Sequence, residues 1–79
     1  MTLHSARELV VMNPKLKLIN SDTLTTTDMN LVREIIKDLV RWGYKKDHSE
    51  RGYTSYVQGT SGVGISIDDA ETKATIVVS

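Results

Sequence analysis

Apolar residues between positions 28 and 42 recur at a spacing of three or four. At about 100° per residue they fill one continuous half of a helical wheel; these residues are Met29, Leu31, Val32, Ile35, Ile36, Leu39, Val40 and Trp42. Gly43 follows them, and glycine readily takes the left-handed conformation in which many helices end. The pattern therefore predicts an amphipathic helix over residues 28–42 that buries its apolar half and starts from a cap at Thr25 or Thr27.

Residues 1–27 carry weaker patterns. Ser5 followed by Glu8 has the spacing of a helical capping box, and Pro14 disfavours a helical residue before it, so a short helix is predicted over residues 5–12. The run Leu-Val-Val-Met within it is also typical of a strand, and the sequence leaves both alternatives open. Lysine and leucine alternate within residues 15–19, which indicates an edge strand whose lysines discourage further pairing. The hydroxyl and amide side chains at 20–28 favour turns and helix caps.

After Gly43, apolar and polar residues alternate as they do in strands that bury one face. Strands are predicted over residues 44–48, 53–58, 63–67 and 73–78, with turns at 59–62 and 68–72. Connections this short join antiparallel neighbours, so these strands should form a β-meander. Residues 1–79 are thus predicted to be a single α+β domain, with one long amphipathic helix packed on an antiparallel sheet.

Composition narrows the functions to consider. The 79 residues contain no cysteine, which removes disulfides and thiolate metal sites and fits a reducing cytoplasm. Ten basic and ten acidic side chains balance, so a generic coat for nucleic acid is disfavoured, whereas a local basic patch is not. No stretch resembles a signal peptide or a membrane span, and a cytoplasmic protein without a membrane partner is expected.

Residues that could support catalysis or hold a metal are few and scattered. His4 and His48 are the two histidines, and no serine stands beside a candidate base in a family-specific pattern. Asp68, Asp69 and Glu71 are too few for a calcium loop, and the glycine-rich stretch at 59–64 lacks the lysine and the helix of a phosphate loop. We expect a binding module rather than an enzyme, with no catalytic residue, cofactor or metal.

The polar half of the predicted helix carries a row of basic residues. Arg33, Lys37 and Arg41 follow one another at four-residue spacing, and Lys45 and Lys46 continue the row into the next strand. Such a row suits a line of phosphates. The alternative is an ordinary solvated face, because most charged helix faces bind nothing.

The stretch LVREIIKDLVRWGY followed by KKDHSERGYTSYV, residues 31–57, resembles the recognition helix and wing of winged helix-turn-helix domains. The resemblance implies a winged-helix variant with an extra C-terminal hairpin, in which a further helix would occupy residues 22–26. It also implies that the residues facing the major groove of duplex DNA are Asn30, Arg33, Glu34 and Lys37. The residues that would approach the DNA backbone or minor groove are Lys45, Lys46, His48 and Arg51. Arg41 completes this set of candidate binding residues.

Two functions stay open at this point. The first, which the resemblance favours, is a DNA-binding regulator of transcription, which needs its basic residues on one side of the molecule. The second is a protein-binding modulator or inhibitor, such as those that phages and mobile elements encode, acting as a monomer or a homodimer. It needs an exposed apolar or aromatic patch, or an uncovered strand edge. Tyr53 and Tyr56 fall on opposite faces of one predicted strand, so at least one should be exposed, whereas Trp42 is predicted to be buried.

Overall fold

Two helices and a six-stranded antiparallel sheet make up the computed structural model, which describes residues 1–79. The elements are α1 (Ala6–Met12), β1 (Lys17–Leu18), β2 (Thr23–Thr26), α2 (Met29–Arg41), β3 (Lys45–Glu50), β4 (Tyr53–Gln58), β5 (Ser61–Ile67) and β6 (Ala74–Val78). The strand order is β1-β2-β6-β5-β4-β3, so β3 to β6 form a meander and β2 pairs with the last strand of the chain. The α+β class and the antiparallel sheet are confirmed.

Strand β2 lies where the sequence predicted turns and a helix cap, and that prediction is wrong. Its β-branched threonines suit a pleated strand, and it obtains backbone partners on both sides, from β1 and from β6. Leu24 pairs with Ile76 in this arrangement and is fully buried. The cap of α2 is Asp28 rather than Thr25 or Thr27, since Asp28 Oδ1 accepts a hydrogen bond of 3.1 Å from the Leu31 N–H.

The first segment is helical, so the strand alternative for residues 5–12 is wrong. Ser5 is the N-cap of α1, and Glu8 Oε1 accepts a hydrogen bond of 3.1 Å from the Ser5 N–H and another from the His4 N–H. These bonds satisfy backbone donors that the first helical turn leaves free. The predicted strand at 15–19 shortens to the two residues of β1, which does lie at the edge of the sheet.

The core lies between the two helices and one face of the sheet, which we call the helix side. The buried apolar residues on this side form one cluster of 15; those from the sheet are Leu24, Tyr56, Val63, Ile65, Ala74, Ile76 and Val78, and those from the helices are Ala6, Leu9, Val32, Ile35 and Leu39. The predicted alternation of β5 and β6 is thereby confirmed. Trp42, predicted to be buried, is only partly so and packs against the cluster. Neither helix combines the length and the apolarity that a membrane crossing needs.

The junction between α2 and β3 depends on Gly43. The Gly43 N–H donates to the Val40 carbonyl, and the Tyr44 N–H donates to the Leu39 carbonyl. This pair of hydrogen bonds is typical of a helix that ends at a residue in the left-handed conformation, here Gly43. Gly43 has a φ of +100°, and a Cβ there would lie 2.5 Å from Gln58 Nε2. The glycine predicted to end the helix is therefore confirmed in that role, and α2 delivers the chain directly into β3.

Candidate binding surfaces

The basic residues at the start of β3 point to opposite faces of the sheet. Lys46 pairs with Tyr56, which is buried on the helix side, whereas Lys45 pairs with Val57, which is 38% exposed on the other face. We call that second face, which no helix covers, the open face. The row of basic residues that the sequence suggested therefore divides as soon as it enters the sheet.

A β-bulge between Lys46 and His48 changes the alternation of the rest of β3. Because the extra residue shifts the register, His48 pairs with Ser55 and lies on the open face. Its ring stands beside that of Tyr53, with the ring centroids 6.4 Å apart. The bulge therefore assigns His48 to a different surface from Lys46.

Basic side chains on the exposed face of α2 have polar neighbours within the same helix. Arg33 Nη1 donates to Asn30 Oδ1 over 2.9 Å. Lys37 Nζ lies 3.6 Å from Glu34 Oε1, and Arg41 forms an ion pair with Asp38. Exposed pairs of this kind contribute little stability, but the carboxylates offset much of the positive potential of the row.

Arg51 lies at the far end of the sheet, in the turn between β3 and β4. It lines a hollow together with Asp68, Asp69 and Glu71 from the turn between β5 and β6. Its charge is thus set among carboxylates. Of the predicted binding residues, the structure places Asn30, Arg33, Lys37, Arg41 and Lys46 on the helix side, Lys45 and His48 on the open face, and Arg51 at this acidic end.

Asp68 organises the acidic turn itself. Its carboxylate accepts hydrogen bonds from the Thr72 hydroxyl and from the backbone N–H groups of Thr72 and Lys73. These bonds, the Thr72 hydroxyl first among them, lower the pKa of Asp68 below its usual range, and the charge of Lys73 acts in the same direction. Asp68 therefore serves to close the turn, and no group of three or more His, Cys, Asp or Glu side chains in the protein is arranged to hold a metal ion.

The open face carries an apolar patch formed by Tyr53, Val57 and Val77, which are 36%, 38% and 42% exposed. These residues border a hollow of about 440 Å³ whose floor is made by the small residues of β5. A Cβ at Gly64 would lie only 2.8 Å from the Tyr53 Oη, so the glycine allows the Tyr53 ring to lie across β5. Sequence reasoning missed this patch; the signal was the small residues Gly62, Gly64 and Ser66 alternating with the apolar residues of the core.

Several lysines of the protein have no ion pair, and one of them, Lys45, lies beside the apolar patch. None of Lys15, Lys17, Lys45 and Lys73 lies within 4.0 Å of a carboxylate oxygen, since the ion pairs of the protein involve other residues. The surroundings of the patch carry both signs of charge, since Asp47 lines the hollow beside it and His48 lies beside the carboxylate of Glu50, which is opposite Tyr53.

Comparisons of the chain with protein-family models, with curated proteins and with solved structures found no match.

Proposed function

We propose that this domain is a non-catalytic binding module that docks a protein partner through the open face of its sheet. The observation that carries the proposal is the patch of Tyr53, Val57 and Val77, three large side chains exposed together on a sheet face that no helix covers. Contiguous exposed apolar surface of this kind is typical of interaction sites. A modulator or inhibitor of another protein needs a binding surface but no catalytic pocket. A domain of this size can provide such a surface.

The chemistry of the patch resembles that of a small interface. Tyr53 offers a broad apolar ring with a polar tip, and such residues often supply most of the binding energy of an interface. Val57 and Val77 would be shielded from water by the same partner, and their burial is favourable. Lys45 beside Val57 would be met by a carboxylate of the partner, and Asp47, which lines the hollow beside the patch, by a basic group.

The proposal is tested with two matched variants that each replace an exposed valine by lysine. Val77→Lys places the charge in the patch, and Val40→Lys places it on α2, where Val40 is 58% exposed. The wild type and Val40→Lys should capture the same protein from an extract of the source cells and bind it with equal Kd. Val77→Lys should raise that Kd by roughly thirtyfold, the loss expected when a central interface contact is removed.

Equal weakening by the two lysines would contradict the proposal, as would the failure of any protein to bind the wild type saturably. Circular dichroism of both variants verifies that they are folded. Light scattering of the wild type and of Val77→Lys shows whether the partner on this face is a second copy of the chain.

A second candidate is the DNA-binding regulator of winged-helix character, favoured by the placement of Arg33, Lys37, Arg41 and Lys46 on one side of the molecule. It has less geometric support, because the strand β2 occupies the segment in which that fold would have a helix. Titration of duplex DNA at two salt concentrations tests it. Binding should weaken steeply with salt and be lost in Arg33→Glu and in Lys46→Glu; binding indifferent to both substitutions would exclude this function.

A further inference from the structure

A pocket at one corner of the open face brings two lysines of the N-terminal segment together with one that precedes the last strand. It has a volume of about 320 Å³ and is lined by Lys15, Lys17 and Lys73 with Thr25, Thr26 and Thr27. We call it the corner pocket. We propose that the corner pocket binds a phosphoryl oxyanion, the doubly charged tetrahedral group of inorganic phosphate or of a small phosphate ester. The inference is independent of the protein partner, because the corner pocket shares no lining residue with the hollow beside the Tyr53 patch.

The strand order creates this pocket. Lys17 on β1 pairs with Thr25 on β2, and Thr25 pairs with Thr75 on β6. Lys73 precedes Thr75 by two residues and so shares its side of the strand, which is the open face. The insertion of β2 between β1 and β6 thus gathers the positive charges of both ends of the chain at one place.

Positive charge in the corner pocket is poorly compensated by the protein. The acidic side chain that lines it is Asp28, whose Oδ1 accepts from the Leu31 N–H as the cap of α2. Lys73 acts at longer range on Asp68, whose carboxylate is already bound to the Thr72 hydroxyl and to two backbone N–H groups. Like charges gathered in one hollow repel one another. A bound anion would offset this charge.

The Thr25 hydroxyl is a further hydrogen-bond donor that the corner pocket offers to an anion. Thr25 is only 8% exposed and lines the corner pocket. Its neighbour Thr26 uses its hydroxyl to accept a hydrogen bond from the Asp28 N–H, but no protein group hydrogen-bonds the hydroxyl of Thr25. Every fully buried polar side-chain atom of the protein has a hydrogen-bond partner, so the Thr25 hydroxyl, which has none within the protein, is open to the solvent of the pocket. Its O–H is therefore free to donate to an oxygen of a bound anion.

The donors of the corner pocket suit a phosphoryl group better than a single carboxylate. Lysine ammonium groups bind phosphate as point charges, without the planar geometry that arginine imposes. Lys15 and Lys17 approach from the segment of β1 and Lys73 from just before β6, so a tetrahedral anion can accept from both sides and from Thr25 at once. A monovalent carboxylate has fewer oxygens and half the charge, and it would leave part of the repulsion in place.

The experiment is a titration of the ¹⁵N-labelled protein with inorganic phosphate, pyrophosphate and adenosine monophosphate, with sodium chloride added to hold the ionic strength constant. Saturable shifts of the amide signals of Lys17, Thr25 and Lys73 are expected with phosphate. Pyrophosphate and the nucleotide separate a preference for the free anion from a preference for a phosphate ester. The Tm should rise with each bound anion as its concentration exceeds the Kd.

Variants decide whether the corner pocket is the site. Lys17→Gln and Lys73→Gln should each raise the Kd for phosphate by roughly tenfold, the effect of losing one charged hydrogen bond, and Thr25→Val should raise it as well. Lys45→Gln, which removes the same charge elsewhere on the open face, is the matched control and should leave the Kd unchanged. Without phosphate, Lys73→Gln should melt no lower than the wild type, because it relieves repulsion.

Results of three kinds would overturn the inference. The first is amide shifts that grow without saturation at all surface lysines. The second is a Kd for phosphate that Lys45→Gln raises as much as Lys17→Gln does. The third is the absence of amide shifts with any of the three anions. None of these results bears on the capture of a protein by the Tyr53 patch. The two proposals therefore fail separately.

Discussion

Tyr44 joins three distant parts of the chain through one buried hydroxyl. Its oxygen accepts a hydrogen bond of 2.8 Å from the Leu3 N–H and lies 2.6 Å from Ser61 Oγ. Ser61 in turn donates to the Leu3 carbonyl over 2.7 Å, so the Tyr44 O–H must donate to Ser61. Each buried polar group of this ring is satisfied by the other two. A ring of this kind stabilises one register of the N-terminal residues against the sheet.

Tyr44→Phe should lower the free energy of unfolding by about 1–3 kcal/mol, because it leaves the buried Leu3 N–H without an acceptor and removes the donor to Ser61 Oγ. The measurement is urea-induced unfolding. Tyr53→Phe is the matched control, since it removes a hydroxyl from the open face and should change the free energy by less than about 0.5 kcal/mol. Equal effects of the two substitutions would mean that the buried ring of hydrogen bonds contributes nothing.

Elements differ in how far their own residues determine them. The helix α2 and the strands β4 to β6 were predicted close to their observed bounds, because their apolar periodicity extends over several turns or strand repeats. Strand β2 was missed, since four residues rich in threonine carry too short a pattern and the same residue types favour turns. Its backbone partners, β1 and β6, lie before it and at the end of the chain, and local sequence does not reveal them.

Leu24→Ala tests the assignment of this segment as a core strand. Leu24 is fully buried and opposite Ile76, so its truncation should lower the free energy of unfolding by about 2–5 kcal/mol. Ile19→Ala, in the adjacent segment, removes a side chain that is 58% exposed and should change the free energy by less than about 0.5 kcal/mol. A cost below about 1 kcal/mol for Leu24→Ala would fit a surface turn instead. Thermal unfolding and urea-induced unfolding both measure this change in the free energy of unfolding.

At the scale of the whole molecule, one core cluster contains residues from the first segment to the last strand. Leu3 is 1% exposed and lies with α2, the sheet and Tyr44 in that cluster. A chain of this length buries a modest core, so its stability is expected near the lower end of the usual range. Loss of any part of the cluster should therefore weaken the whole domain rather than one element.

Leu3→Ala should lower the free energy of unfolding by about 2–5 kcal/mol while keeping the transition cooperative. Trp42 fluorescence, which reports on the end of α2, and far-UV circular dichroism should then show the same urea midpoint. Met1→Ala, which truncates a side chain that is 51% exposed, is the control and should leave the midpoint nearly unchanged. Separate midpoints for the two signals in Leu3→Ala would show that the N-terminal segment unfolds by itself.

The sequence by itself determined the α+β class, the position of α2 and the apolar side of β5 and β6, whereas it left the first segment open between helix and strand. These features follow from side-chain spacing, which acts between residues close together in the chain. Only the tertiary structure decided which surface each basic residue joins. The bulge in β3 separates His48 from Lys46, and the insertion of β2 gathers Lys17 and Lys73. The bulge and the insertion both depend on hydrogen bonding between strands that local sequence does not pair. A shift of one residue in the register of such a pair moves a side chain to the opposite face of the sheet.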